Sequence, residues 1–276
     1  MRVVTLRCGE VPNYELRCVR PQVLRSRLLL RSHKRQLSSS TLQVALPVKA
    51  LNGRPRPEAE RPYPRSQISK SDTISIAQLA ADVEAAAAGL DMSLIRLPLG
   101  WSGDLCDFDL PLDYLGYDGG GGIGSGSGMA VGAALGLKDS GRLRVAIIGD
   151  GDYLIGVSAL WTAANARIPL LIIVANNRSF FNDELHQERV ARDRSQPIEN
   201  RWIGQRIDDP APDLAGLARA QGLTGFGPVS DPAELVGVLR NAVEILRAGG
   251  SVVVDVHVTP GYSPTMSSGM TLSHDD

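Results

Sequence analysis

The stretch Gly149–Asn177, GDGDYLIGVSALWTAANARIPLLIIVANN, decides the fold that this sequence predicts. Its middle part, Tyr153–Ala166, carries apolar side chains at helical spacing, and we expect one helix there. The apolar run Ile168–Ala175 is typical of a parallel strand covered on both faces, and Arg144–Ile148 predicts a buried strand before the helix. The unit is therefore strand, helix, strand, and its two polar ends lie at the carboxyl ends of neighbouring strands.

Helices and strands alternate on either side of this unit. An Ala-rich helix is predicted from Ser75, and a short strand follows over Ser93–Leu97. Two further helices begin at Asp213 and Asp231, each with an acidic N-cap, and a last strand covers Ser251–Val258. The sequence thus predicts an α/β fold, namely a three-layer open parallel sheet with helices on both faces.

The charge distribution divides the chain into parts. Residues 1–70 contain fifteen basic and four acidic residues, whereas residues 71–276 contain fourteen basic and twenty-six acidic ones. We expect residues 1–70 to form a basic, disordered extension, residues 71–265 a folded domain and residues 266–276 a flexible tail. Within the extension, Arg25–Ser40 also has the composition of an organelle transit peptide or of a basic nucleic-acid arm. We favour an extension without function.

Cysteine usage and hydropathy indicate the compartment. The three cysteines, Cys8, Cys18 and Cys106, have neither metal-like spacing nor an even number for pairing, which favours a reducing environment. No apolar run approaches the roughly 20 residues that a membrane-spanning helix needs. We therefore expect a cytoplasmic protein that binds neither membrane nor nucleic acid.

Polar side chains follow both strands of the central unit. Asp150 follows the first strand and Asn177 follows the second, and ligands of open α/β sheets bind beyond these strand ends. Magnesium prefers hard oxygen ligands, with phosphate oxygens completing its coordination. The helix after Gly151 offers free N–H groups to a diphosphate. Either motif alone is explained by a tight turn, but the ordered pair at this spacing predicts a magnesium diphosphate site.

A glycine-rich segment, Tyr117–Gly128, precedes a helix of small residues. Its glycines allow close approach of the backbone to a ligand. Gly119, Gly121 and Gly124 match the dinucleotide fingerprint in spacing, but that fingerprint directly follows a strand and has an acidic residue about 20 positions later. The residues before the segment predict no strand, and Asp139 lies in a predicted turn. A nicotinamide-dependent oxidoreductase is therefore an alternative that the surrounding sequence does not favour.

The polar segment after Asn177 carries weaker candidates. Glu184, His186 and Glu188 suggest metal or acid–base chemistry, but a helix face of this kind is more often solvated or at an interface, which we expect here. Phe180 and Phe181 are expected to be buried packing residues rather than to shape a substrate pocket.

The motifs Gly149–Gly151 and Asn176–Asn177 together resemble the signature of thiamine-diphosphate enzymes of the acetolactate synthase, benzoylformate decarboxylase and pyruvate decarboxylase group. The likeness extends to Gly120–Gly124 and to Ala159–Ala164, and it covers roughly Ile74–Tyr262. This is the extent of the family's pyrophosphate-binding domain. The resemblance implies thiamine diphosphate and Mg²⁺ as cofactors and a small 2-oxo acid as substrate.

The resemblance also implies roles for single residues. Asp150 and the Asn177 side chain would bind Mg²⁺ with the carbonyl of Ser179, and Gly151 and Asp152 would lie against the diphosphate. Asp152 replaces a serine that is common in the decarboxylases, so it needs a hydrogen-bond partner or an outward rotamer. Ile123 would bend the cofactor and the carbonyl of Gly121 would accept its amino group. The full set of cofactor-binding positions is Gly121, Ile123, Gly149, Asp150, Gly151, Asp152 and Asn177.

The activating residue of the family implies a partner. Family members ionise the cofactor through a Glu on a separate pyrimidine-binding domain, for which residues 1–70 are too short. We therefore expect no catalytic residue on this chain and a homo- or hetero-oligomer in which a pyrimidine-binding domain or subunit completes a decarboxylase or carboligase. The alternative is a truncated, non-catalytic cofactor-binding module.

Overall fold

The computed structural model describes residues 4–6, 42–44, 72–116 and 122–261. Its N-terminal unit, Met1–Asn52, contains an antiparallel strand pair, β1 (Val4–Leu6) and β2 (Leu42–Val44). Apart from this pair, the predicted extension over residues 1–70 lies outside the described residues, as does the predicted tail over residues 266–276. Both expectations remain predictions.

The second unit, Gly53–Asp276, alternates helices and strands along the chain. A 3₁₀ turn (Gly103–Leu105) lies between the first strand and the second helix that the structure describes in this unit. In chain order its helices and strands are α1 (Ile76–Ala86), β3 (Met92–Leu94), α2 (Gly126–Gly136), β4 (Leu143–Gly149), α3 (Asp150–Gly156), α4 (Ala159–Asn165), β5 (Leu170–Asn176), α5 (Phe181–Asp193), α6 (Leu214–Ala220), β6 (Thr224–Val229), α7 (Pro232–Arg247) and β7 (Ser251–His257).

The five strands of this unit form one parallel sheet in the order β3-β4-β5-β7-β6. The central strand β5 is buried along its whole length, as its continuous apolar run predicts. Ile173 of β5 pairs with Ile147 of β4 on one side and with Val254 of β7 on the other. The predicted open parallel sheet is confirmed.

Two hydrophobic clusters lie on opposite faces of the sheet. Because side chains alternate along a strand, Leu171 and Ile173 of β5 pack on one face and Ile172 and Val174 on the other. Helices α1 and α7 cover the first face, and α2, α3, α4 and α6 cover the second. The three-layer architecture with helices on both faces is therefore confirmed.

The helix predicted over Tyr153–Ala166 is wrong in one respect, because the structure divides it into α3 and α4. The division follows Gly156, where α3 lies directly against the carbonyl of Gly124. A Cβ atom at Gly156 would stand 2.4 Å from that oxygen. Trp161, one of the helically spaced apolar residues, is 59% exposed. Helical spacing alone does not reveal where a helix is interrupted.

The strand predictions also needed correction at both edges of the sheet. Strand β3 is shorter than the predicted Ser93–Leu97, although Ile147 N–H still donates to the Arg96 carbonyl at 3.0 Å. Strand β6, which the sequence analysis did not predict, contains two glycines and a proline and has a register shift between Phe226 and Val229. Such residues are tolerated at a sheet edge, where β6 lies.

The contact between Gly156 and the Gly124 carbonyl predicts that Gly156→Ala lowers the free energy of unfolding by about 1–3 kcal/mol, because backbone atoms have to move apart. The matched control is Gly132→Ala within α2, where a Cβ atom meets nothing within 4 Å. That substitution should stabilise the protein by about 0.5–1 kcal/mol. Urea unfolding measures both, and similar effects of the two substitutions would contradict the close contact.

Candidate functional site

A cleft of about 360 Å³ opens at the carboxyl ends of β4 and β5. Its lining includes Asp150, Asp152, Asn177 and Ser179 from the two strand ends and Ile123 from the glycine-rich segment. Gly149 and Gly151 also line it. The structure thus brings the predicted positions together, except for Gly121, which lies outside the described residues.

The side chains of Asp150 and Asn177 converge on one backbone N–H group. Ser179 N–H lies 3.0 Å from Asp150 Oδ2 and 3.0 Å from Asn177 Oδ1, so both oxygens are near neighbours. The chain turns back at Arg178, which has a positive φ of 59°. This turn places a carboxylate and an amide oxygen side by side at the end of the sheet.

The carboxylate of Asp150 is buried, with 3% of the residue exposed. Burial raises the pKa of Asp150 to about 6, although backbone N–H groups, among them those of Gly151 and Ser179, oppose the increase. A cation beside this carboxylate would favour its ionised form. Among the residues that the structure describes, no group of three or more His, Cys, Asp or Glu side chains gathers at one point. A metal here would draw its other ligands from carbonyls, water or a bound phosphate, as Mg²⁺ commonly does.

Asn176 holds the turn at Arg178 through a hydrogen bond, and it is not among the residues that line the cleft. Its Nδ2 donates to Asp255 Oδ1 at 2.9 Å, and its Oδ1 accepts from Arg178 N–H at 3.0 Å. Asp255 is 2% exposed, and burial raises its pKa. Of the two asparagines in the motif, one therefore holds the turn and Asn177 faces the cleft.

Glu184 is a residue whose role the sequence analysis missed. Instead of being solvated, it is 1% exposed and accepts a hydrogen bond from the Ser179 hydroxyl. Arg206 pairs with the same carboxylate at 2.7 Å. The expected solvation holds for His186, which is exposed. Glu184 can be buried because Arg206 neutralises its charge and the Ser179 hydroxyl donates a hydrogen bond to it. Sequence spacing does not reveal the contact with Arg206.

Phe180 explains why position 151 is a glycine. A Cβ atom there would stand 2.1 Å from Cε1 of the Phe180 ring, so any other residue would displace the ring. Phe180 and Phe181 are both half-buried and line the cleft. The expectation that they only pack in the core is therefore wrong, because their rings form part of the cleft wall.

Asp152 has the hydrogen-bond partners that an acid in this position needs. Its Oδ2 lies 2.9 Å from Nε of Arg96, and its Oδ1 accepts from the N–H groups of Gly124 and Gly126 at 2.6 and 3.1 Å. Arg96 also lines the cleft, although it was not among the predicted site residues. The one feature that could have drawn attention to it is its charge within the otherwise apolar predicted strand Ser93–Leu97.

The glycine-rich segment enters the cleft through Ile123, which is 52% exposed. It continues directly into α2. Within the described part of the chain, the nearest strand upstream is β3, which ends at Leu94. The described residues therefore do not provide the strand–glycine–helix succession of a dinucleotide fingerprint.

Membrane association through a spanning helix finds no support in the described ranges. None of the helices there combines the length and the apolar composition that crossing a bilayer requires.

Comparison with known proteins identifies the family. The family model described as "Thiamine pyrophosphate enzyme, C-terminal TPP binding domain" matches residues 99–256. The acetolactate synthase isozyme 3 large subunit of Escherichia coli K12 is 30% identical over 151 residues, which are 55% of this chain and 24% of that protein. Benzoylformate decarboxylase of Pseudomonas aeruginosa is 39% identical over 144 residues, which are 49% of this chain and 23% of that protein.

Solved structures show the same relationship. The thiamine diphosphate-dependent 4-hydroxybenzoylformate decarboxylase of Rhodococcus jostii RHA1 superimposes with a TM-score of 0.58 and 26% identity, covering 71% of this chain and 34% of that one. The chain spans about a quarter of the length of the curated relatives that it matches. Because the family model matches more than half of the chain, this protein belongs to the thiamine pyrophosphate enzymes and contains their C-terminal TPP-binding domain.

Proposed function

We propose that this chain binds thiamine diphosphate together with Mg²⁺ in the cleft at the ends of β4 and β5. The observation that carries the proposal is the convergence of Asp150 Oδ2 and Asn177 Oδ1 on Ser179 N–H, each at 3.0 Å. Two hard oxygen atoms so close together suit one small divalent cation. The family to which the chain belongs supports the choice of the diphosphate.

The residues present fit this pair of ligands. The buried carboxylate of Asp150 has a raised pKa that a bound cation would reverse. Gly149 lines the cleft without a side chain and a Cβ atom there would meet nothing within 4 Å, which leaves its backbone open to a close approach by phosphate oxygens. Asp150 and Asn177 would hold the metal, with the carbonyl of Ser179 as a further ligand. Ile123 would present an apolar surface to the organic part of the cofactor.

The proposed reaction is loss of CO₂ from a 2-oxo acid, after which the remaining acyl carbon takes up a proton to give an aldehyde or adds to a second carbonyl compound. Thiamine diphosphate supplies the nucleophilic carbon and the electron sink for this chemistry. The chain's own contribution is to bind the cofactor, to orient it through Ile123 and to keep water from its apolar part with the rings of Phe180 and Phe181. The names of the relatives, an acetolactate synthase and a benzoylformate decarboxylase, support this reaction class.

Turnover is proposed to require a pyrimidine-binding domain in a homo- or hetero-oligomer, where a Glu of that domain ionises the cofactor. The matched segment makes up 24% and 23% of the two curated relatives, so most of each relative lies outside it. The alternative is a module that binds the cofactor without turnover. Assays of benzoylformate and pyruvate decarboxylation, with and without a co-expressed pyrimidine-domain protein, separate the two, since activity should appear only with the partner.

Cofactor binding should raise the melting temperature. At 100 times Kd, thiamine diphosphate with Mg²⁺ stabilises the folded state by about 2.7 kcal/mol, or roughly 5–10 °C, whereas NAD should have no effect. Asp150→Ala should abolish the increase because it removes a metal ligand. Asp193→Ala, at the exposed end of α5 and outside the cleft, serves as the control and should retain it. An equal increase in the Asp150 variant would contradict the assignment of the metal site.

Stability of the metal-free protein should depend on the charge of Asp150. Its pKa is about 6 in the folded state against an ordinary value of 3.8, a difference worth roughly 3 kcal/mol. Well below pH 3.8 both states bind the proton, so Asp150 makes no pH-dependent contribution to stability. As the pH rises from about 3.8 to about 6, the unfolded state loses its proton while the folded state keeps it, and the folded state is destabilised; above about pH 6 this loss is complete.

The variant Asp150→Asn lacks this titration. Its stability relative to the native protein should therefore increase by up to about 3 kcal/mol between about pH 3 and pH 7, as measured by urea unfolding in EDTA. A difference between variant and native protein that stays constant with pH would show that Asp150 does not titrate in this window.

A further inference from the structure

Arg96 and Asp152 form a buried ion pair at the edge of the cleft. Arg96 Nε lies 2.9 Å from Asp152 Oδ2, and the two side chains are only 3% and 7% exposed. Burying two charges costs more than their attraction returns unless further hydrogen bonds satisfy them. The hydrogen bonds that Arg96 and Asp152 make to other residues therefore indicate the role of the pair.

Asp152 binds the beginning of α2, although it belongs to α3. Its Oδ1 accepts from Gly124 N–H and Gly126 N–H. The first N–H groups of a helix have no partner within the helix. The N-cap residue of α2, Ser125, donates its hydroxyl to the Gly122 carbonyl and does not cap the helix. Asp152 thus provides from another element the capping acceptor that α2 lacks.

Arg96 binds the same short segment. Its Nη1 donates to the Ser125 hydroxyl at 2.9 Å and to the Met129 sulfur at 3.4 Å, and its Nη2 donates to the Gly122 carbonyl at 3.4 Å. All these partners lie between Gly122 and Met129. The ion pair therefore joins the segment that follows β3, helix α3 and the turn Gly122–Gly126.

The turn packs closely against α3 at two glycines. A Cβ atom at Gly126 would stand 2.3 Å from Asp152 Oδ2, and one at Gly124 would stand 2.3 Å from Cγ2 of Ile155. Gly124 also has a φ of 95°, which favours glycine. Ile123 lies in the middle of the turn and is half exposed, so its position follows from the backbone on either side and not from its own burial.

The charge of the pair matters for an anionic ligand. Asp152 lines the same cleft as Asp150, and an unpaired carboxylate there would repel a diphosphate. Arg96, also at the cleft, offsets that charge at a distance of 2.9 Å.

We propose that Arg96 and Asp152 act as a positioning pair that holds Ile123 against the cofactor, with Arg96 offsetting the Asp152 charge so that an acid can stand beside a diphosphate. The inference deepens the proposed function and rests on it. Neither residue is assigned a contact with the reacting atoms. Both act through the turn Gly122–Gly126.

The positioning role is tested with Asp152→Ala by amide hydrogen exchange and calorimetric titration. Exchange at Gly124 and Gly126 should become at least about 10-fold faster in the cofactor-free protein, because both amides lose their acceptor. The Kd for thiamine diphosphate with Mg²⁺ should rise at least about 10-fold. The matched control is Asp213→Ala, since Asp213 accepts from Gly216 N–H and pairs with Arg219 outside the cleft. It should accelerate exchange at Gly216 and leave the Kd unchanged.

The charge role is tested with Arg96→Met alone and combined with Asp152→Ala. Arg96→Met leaves a lone carboxylate at the cleft, so it should weaken binding of the diphosphate more than the double variant does, by about 3-fold or more. A merely structural role predicts the reverse, because the double variant removes more contacts. If Asp152→Ala alone does not fold, the double variant serves for the exchange measurement, with the same acceleration expected.

The outcomes separate this inference from the proposed function. If the native protein binds no thiamine diphosphate, the proposed function fails, and the Kd-based part of the inference fails with it. If the native protein binds and Asp152→Ala leaves both exchange and Kd unchanged, the positioning pair is refuted and the proposed function stands. A double variant that binds no better than Arg96→Met refutes the role assigned to charge.

Discussion

The site depends on a single buried carboxylate at the end of a strand. Asp150 follows β4, is 3% exposed, and faces Asn177 across a turn that Arg178 and Asn176 hold in place. Removing a carboxylate from water is unfavourable, and here it raises the pKa to about 6. Such a group reduces the stability of the metal-free fold and becomes favourable only when a cation lies beside it. Burial of the Asp150 carboxylate thus explains both the proposed binding of a cation and the reduced stability of the metal-free fold.

The rest of the fold brings partners to this carboxylate. Parallel pairing of β4 with β5 places both strand ends at one edge of the sheet, and the absence of a side chain at Gly156 lets α3 lie against the glycine-rich turn. Around Ser179, Glu184 and Arg206 join the start of α5 to the segment before α6. Arg96 and Asp152 join the segment after β3 and helix α3 to α2. Two buried acidic residues with arginine partners, Asp152 and Glu184, therefore belong to the elements that form the proposed metal site.

The fold class and the meeting of Asp150 and Asn177 in one cleft could be predicted because their signals are local. A continuous apolar run such as Leu170–Ala175 suits only a covered strand, and polar residues directly after two such strands must share an edge. Strand β6 was not predicted because its glycines and proline contradict strand propensity, and only pairing with β7 forms it. Glu184 and Arg96 were missed for a similar reason, since each is buried by a partner distant in sequence. Asp152 could be recognised as unusual, but the arginine that accommodates it could not.

The central claim is that Asp150 and Asn177 hold a divalent cation together with thiamine diphosphate. The most direct test is to add Mn²⁺ to the isotope-labelled protein in the presence of thiamine diphosphate and to record which backbone amide signals the paramagnetic ion broadens. We expect broadening to begin at substoichiometric metal with Gly151 and Ser179, whose N–H groups adjoin the Asp150 carboxylate. This broadening should require the cofactor. Broadening that begins instead in the exposed acidic loop around Asp104, with Gly151 and Ser179 unchanged, would contradict it.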